Sequence, residues 1–149
     1  MAILFDENGY LKPYEPIEMT LDDFEQTFVF NAQRKDIFNQ YQYFLSILKR
    51  MPIGTFHQWV NGSFISHKAF PNDIDLVSFV DANFYRIFER KLLDLAQEFK
   101  DYRVDAYFEP VFPTHHILSA ATRYNTADWK YLYGHDKRSR RKGFVSIKF

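Results

Sequence analysis

The segment NGSFISHKAFPNDIDLVSF, residues 61–79, restricts what this chain can fold into more than any other stretch. Asp73 and Asp75 flank one isoleucine and lead into an apolar run rich in β-branched and aromatic residues. Such a run reads as a strand, set off upstream by a turn at Pro71-Asn72. Side chains alternate along a strand, so Asp73 and Asp75 share one face while Ile74 and Leu76 take the other. The apolar face calls for a core. The acidic face calls for something positive, because like charges two positions apart repel, and burial raises the cost.

Two neighbouring segments bear on what that positive group is. "TFHQWV", residues 55–60, is a strand candidate that runs into Asn61-Gly62-Ser63. "YRVDAYFEP", residues 102–110, alternates: Val104, Ala106 and Phe108 point one way, Asp105, Tyr107 and Glu109 the other, with Pro110 and Pro113 closing the strand. If that strand lies beside the first, Asp105 supplies a third carboxylate, and Glu109 is a further acid on the same face. A hard divalent cation with oxygen ligands fits best; magnesium takes one or two carboxylates and fills its other positions with water and substrate phosphates. Three carboxylates on neighbouring strands suit a two-metal phosphoryl-transfer site. Gly62 lets backbone approach a phosphate, and a turn or helix beginning at Ser63 aims amide hydrogens and a hydroxyl at it.

The rest of the chain supplies the frame. Thr20 and Asp23 resemble a capping box that opens a helix over about 21–30. Residues 34–50 place Ile37, Tyr41, Phe44, Leu45 and Leu48 at helical spacing, ended by Met51-Pro52. Asn83 is predicted to cap a helix over about 84–100 with Ile87, Leu92, Leu95 and Phe99 on its apolar face. A helix near 126–133, packed onto the sheet by Trp129 and Tyr131, a basic turn and a final strand "GFVSIKF" follow. Residues 1–19, with an "NGY" turn, Pro13 and Pro16, read as an irregular extension. The expected fold is one α/β (α+β) domain: a small mixed sheet flanked by helices, with an N-terminal helical segment.

Composition removes several alternatives. The chain has no cysteine, which excludes disulfides and thiolate metal sites. No run of about 18 apolar residues occurs, so no membrane-spanning helix is expected. The N-terminus lacks the basic start and apolar run of a secretory leader, so the expected location is cytoplasmic and the Asn61-Gly62-Ser63 glycosylation pattern has no use. The histidines lack zinc-ligand spacing, and no Walker, GxGxxG or GxSxG pattern occurs. Net charge is zero, but unevenly placed: residues 1–27 hold seven acids against Lys12, while Lys137, Arg138, Arg140, Arg141 and Lys142 cluster near the other end. Such a cluster is either a contact for a nucleic-acid backbone or a solvated loop.

Gly62-Ser63, nine residues, then Asp73-Ile74-Asp75 with Val60 before and Leu76-Val77 after resembles the signature of the nucleotidyltransferase fold, the DNA polymerase beta-like superfamily. The later "RVDAYF" is similar to that family's third-carboxylate strand, at Asp105. The chain also resembles small bacterial members of that superfamily in its "NGSF", "NDID" and "VDAYF" segments and in the Lys142-Gly143 and Ile147 ending. The resemblance implies a magnesium-dependent enzyme that passes a nucleoside monophosphate from a nucleoside triphosphate to a hydroxyl. Asp73, Asp75 and Asp105 are then the catalytic metal ligands, with Asp105 helping to deprotonate the acceptor. Gly62 and Ser63 contact the β- and γ-phosphates. Many such relatives belong to toxin–antitoxin or phage-defence pairs and act on a partner protein or on tRNA. The sequence departs from the common pattern where relatives carry an Arg-Gly step after Gly-Ser; Lys68 or His67 is the candidate replacement. The alternative is a catalytically inactive module of the same fold that binds nucleotide, a protein partner or nucleic acid.

Overall fold

A computed structural model describes residues 3–149. Seven strands and four helices follow one another along the chain. A small antiparallel pair, β1 (Leu4–Phe5) and β2 (Leu11–Lys12), precedes β3 (Pro16–Glu18), α1 (Leu21–Phe28) and α2 (Ala32–Lys49). Then come β4 (His57–Asn61), a single 3₁₀ turn (Ser63–Ile65), β5 (Ile74–Asp81), α3 (Ala82–Lys100), β6 (Val104–Val111), α4 (Ser119–Gly134) and β7 (Phe144–Lys148). Five strands form one mixed sheet in the order β3-β7-β4-β5-β6. The β3–β7 and β5–β6 pairs are parallel, and β4 is antiparallel to both its neighbours. The expected mixed sheet flanked by helices is present.

Local chemistry accounts for the helix boundaries. Thr20 caps α1 by accepting from the Asp23 amide at 3.1 Å, and Asn31 caps α2 by accepting from the Arg34 amide at 2.9 Å. The five apolar positions predicted for α2 are all buried. In α3 the cap is Asp81, not Asn83: its carboxylate accepts from the amides of Asn83 and Phe84. A carboxylate there also meets the positive end of the helix dipole. Ile87 is exposed and takes no part in the α3 packing face, whereas Leu92, Leu95 and Phe99 are buried.

The sheet has two unlike faces. Ile74, Leu76, Ser78 and Val80 face α2 and α3 with essentially no exposure. Phe44 of α2 packs edge-on to Phe99 of α3 at 5.4 Å and lies 6.2 Å from Phe108 of β6. A polar chain runs through this layer: the Tyr41 hydroxyl donates to Gln58 Oε1 at 2.6 Å, and Gln58 Nε2 donates to Ser78 Oγ at 2.9 Å. The opposite face carries Asp75, Asp105 and Tyr107, and α4 packs on it at β6. That helix begins at Ser119, about seven residues earlier than its sequence pattern suggested, because only Tyr133 of its residues is fully buried and a weak apolar stripe marks no start. Trp129 packs on Tyr107 at 5.6 Å as expected, but Tyr131 is exposed, and Tyr133 makes the second contact, against Phe144 at 5.9 Å.

Two further expectations are corrected. The N-terminal extension, read as irregular, holds three short strands among its described residues: β3 is an edge strand of the main sheet, and β1–β2 is a hairpin. Pro110 does not close β6 but lies inside it, tolerated because β6 is the other edge and needs no second ladder. Among the described residues, no helix is long and apolar enough to cross a membrane.

Candidate metal and phosphate site

Strand register gathers the acids. Asp75 pairs with Asp105 across the parallel β5–β6 ladder and with Asn61 across the antiparallel β4–β5 ladder, so all three point from the α4-covered face. Asp73 lies one residue before β5, on the same side by its period of two. One carboxylate oxygen from each of Asp73, Asp75 and Asp105 lies within 4.8 Å of the others.

The electrostatic cost falls mainly on the middle residue. Burial, then the charges of Asp73 and Asp105, push the Asp75 carboxyl up to about 7, opposed by Lys142. Asp73 is raised by burial and by Asp105, opposed by Lys68. Two buried polar atoms near this face lack a protein partner among the described residues: Asn61 Oδ1, in register with Asp75, and the Tyr133 hydroxyl. Burial, and then the Asp75 and Asp105 charges, raise the Tyr133 phenol. Three crowded carboxylates and an orphaned amide oxygen are a set of hard oxygen donors. They fit a divalent cation of the magnesium class.

Gly62 joins these acids to the turn beyond β4. Its φ of 85° and ψ of −164° belong to a region open essentially to glycine alone. A Cβ there would also collide with Asp75 Oδ2. The 3₁₀ turn then starts at Ser63, as the glycine-serine pair suggested, and the amides of Ser63 and Phe64 donate to no backbone acceptor among the described residues.

Arg34 holds that turn from behind, and nothing in the sequence singled it out. Its side chain is fully buried, with no ion pair among the described residues. The guanidinium donates to the carbonyls of Phe28 and Ser66 at 2.9 Å, and also to those of Ser63, Phe64 and Lys68. With so many loop carbonyls drawn inward, the segment 63–68 is fixed in one shape. Burial lowers the guanidinium to about 10, which leaves it charged at neutral pH. In the sequence Arg34 sits within "NAQRKD", where it is indistinguishable from a solvated helix residue.

The basic cluster near residue 140 does not form one patch. Arg140 donates to Asp136 at 2.7 Å and to Asn8 at 3.1 Å, and Arg141 donates to the Tyr14 carbonyl at 3.1 Å. Lys142 lines a cleft of about 560 Å³ beside the acids, which Gly62, Ser63 and Lys68 also line. Lys137 and Arg138 remain exposed. Glu109 is a tether for α4, not a ligand: it accepts from Trp129 Nε1 at 2.9 Å and from Asn125 Nδ2 at 3.1 Å.

A model described as "Family of unknown function (DUF6932)" matches residues 3–148. The chain belongs to this family. No curated protein and no solved structure matches it. This DUF6932 protein brings together an acidic triad, a glycine-led turn and a cleft lined by two lysines.

Proposed function

We propose that this DUF6932 protein is a magnesium-dependent nucleotidyltransferase that moves a nucleoside monophosphate from a nucleoside triphosphate to a hydroxyl of a protein or RNA acceptor. One observation carries the reading: three carboxylates within 4.8 Å of one another stand beside a turn whose glycine abuts one of them. Carboxylates crowded in this way suit a divalent cation, and a turn of this kind suits a phosphate, so the two together suit a metal–nucleotide complex.

Magnesium, when bound, would neutralise charge on the phosphates and on the departing pyrophosphate. Asp73 and Asp75 would hold it at the triphosphate, and Asp105 would share it. An Asp105 carboxylate oxygen would accept the proton of the acceptor hydroxyl as that oxygen bonds to the α-phosphorus. The bond from the α-phosphorus to the bridging oxygen breaks, and pyrophosphate leaves with the electron pair. Ser63 and its amide would meet the outer phosphates, and Arg34 would keep that turn in shape. Positioning supplies much of the rate in such transfers.

Thermal unfolding with each of the four nucleoside triphosphates, with and without magnesium, tests the binding half. Ligand at about 100 times its dissociation constant adds about 2.7 kcal/mol, or roughly 5–10 °C at this chain length. The expected result is a magnesium-dependent rise that Asp75→Asn abolishes with the fold intact. No rise with any nucleotide would sink the proposal. Transfer itself is then read as pyrophosphate release with candidate acceptors, including a partner protein and tRNA. A non-catalytic binding module is the second reading. It is favoured by Phe64 and Ile65, both buried, which stand where the Arg-Gly step of similar proteins would supply a cation. It predicts nucleotide binding without pyrophosphate release.

A further inference from the structure

The Tyr133 hydroxyl is buried, has no partner among the described residues, and has no role in the proposed transfer. Its place over the sheet follows from the path of α4. The Phe112 amide donates to Thr122 Oγ1 at 2.9 Å, and Glu109 accepts from Asn125 at 3.1 Å and from Trp129 at 2.9 Å. Trp129 also lies on Tyr107. Contacts thus step back from Phe112 to Tyr107 as α4 advances from Thr122 to Trp129, so the helix runs antiparallel to β6. One further turn, from Trp129 to Tyr133, rises about 6 Å. Two strand residues, from Tyr107 to Asp105, span about 6.6 Å. Tyr133 is therefore level with Asp105.

Across the strands it is placed over the acids as well. The β4–β7 register pairs Val60 with Val145, so one step on Phe144 lies beside Asn61. Asn61, Asp75 and Asp105 continue that row over β4, β5 and β6. Tyr133 packs edge-on to Phe144 at 5.9 Å and to Trp129 at 5.5 Å, which holds its ring in one direction. The Lys142 amide donates to the Gly134 carbonyl at 2.9 Å and pins the end of the helix. Burial, and then the charges of Asp75 and Asp105, raise the phenol, so its proton stays in place to be donated. A phenylalanine would fill the same space without an orphaned hydroxyl, whose burial is unfavourable. The hydroxyl calls for an acceptor, and the carboxylates stand on its level.

We propose that Tyr133 is a positioning residue of the cation site: its hydroxyl donates to the Asp75 carboxylate when a divalent cation is bound. This fixes the oxygen that Asp75 turns to the metal. Hydrogen-bond partners behind a ligating carboxylate orient it, and losing one commonly weakens metal binding about 10- to 100-fold. The inference rests on the proposed function for the cation, but not for the nucleotide or the transfer. α4 is then part of the site and not only a cover for the sheet.

Tyr133→Phe in the full chain removes one oxygen and keeps the ring packing; Tyr131→Phe, exposed on the same helix, is the control. Manganese affinity is read from the paramagnetic resonance signal of the free ion, and melting temperature is taken in a chelator. Tyr133→Phe is expected to bind manganese about 10- to 100-fold more weakly, while melting no lower than wild type when metal-free. Magnesium should produce a red-shifted tyrosine band in the near-ultraviolet difference spectrum of wild type, absent from Tyr133→Phe. Tyr131→Phe should match wild type throughout.

Unchanged manganese affinity in Tyr133→Phe, or a red-shifted band that survives the substitution, would overturn the inference. A lower metal-free melting temperature in Tyr133→Phe would make the hydroxyl a packing group and overturn it too. Asp75→Asn separates this failure from that of the proposed function. Where Asp75→Asn loses manganese binding and Tyr133→Phe does not, the triad stands and only Tyr133 falls. Should wild type bind no manganese, both readings fall together.

Discussion

Gly62 and Asp75 stand so close that position 62 has no room for any side chain: the nearest atom to a Cβ there is Asp75 Oδ2 itself. The turn that opens at Gly62 and the central carboxylate are therefore one mechanical unit. Movement of either displaces the other.

Gly62→Ala separates this contact from ordinary backbone strain. Gly54 also has a positive φ, 69°, but nothing lies within 4 Å of its Cβ position. Both substitutions should cost about 1–3 kcal/mol in urea unfolding through backbone strain. Only Gly62→Ala should also weaken manganese binding, because only there must Asp75 shift. Equal manganese affinity in the two variants would refute the coupling.

The triad should make the metal-free protein less stable as pH rises. Burial and the neighbouring acids push the Asp75 carboxyl up to about 7 in the folded chain, from the ordinary 3.8 of an unfolded one. Below about pH 4 both states hold the proton and there is no penalty. Between those values the folded state keeps a proton that the unfolded state releases, so stability falls with rising pH. Above about 7 the loss is complete. Asp75→Asn should flatten this slope and, at pH 8 in a chelator, exceed wild type by about 1–3 kcal/mol. Melting temperatures across that range give the answer, and millimolar magnesium should restore wild type alone.

Arg34→Met removes the donor for five carbonyls. A loss of at least about 3 kcal/mol is expected, since buried acceptors left unpaired are costly. Arg34→Lys should recover part of it, because an ammonium has three donors in place of a planar fork. Hydrogen exchange should show lost protection at residues 65–68 before the sheet is affected.

The polar chain between α2 and the sheet has a measurable coupling. Tyr41→Phe leaves Gln58 Oε1 buried without its donor and should cost about 1–3 kcal/mol in denaturant unfolding. Adding Gln58→Leu should cost less than the two single losses summed, because the second change removes the group that the first left unpaired.

The acids were legible in the sequence because their signal is local: a period of two, a glycine-serine pair and an alternating strand. Register then did the rest, and Asp75 opposite Asp105 needs only that β5 and β6 be neighbours. Gly62, Ser63 and Lys68 were likewise found together along one cleft. What escaped notice acts over long sequence separations. Arg34 reaches segment 63–68 only through tertiary packing, and Arg140 and Arg141 are engaged by Asn8 and by the Tyr14 carbonyl, more than a hundred residues earlier, while Lys142 lines the cleft. Asp81 displaced Asn83 as a cap because either side chain can serve, and the end of β5 fixed which one did. The early start of α4 was hidden because a helix laid over an open face need not be amphipathic.

The sheet order has a consequence for how this molecule is made. β7 follows the other described elements along the chain, yet it sits between β3 and β4 and pairs with both. Until Phe144–Lys148 emerges, β3 has no partner in the sheet and His57–Asn61 presents an open edge beside the buried Trp59 and Val60. The sheet cannot close before residues 144–148 are made, and a ribosome stalled shortly before residue 144 would release a chain with an unpaired sticky strand.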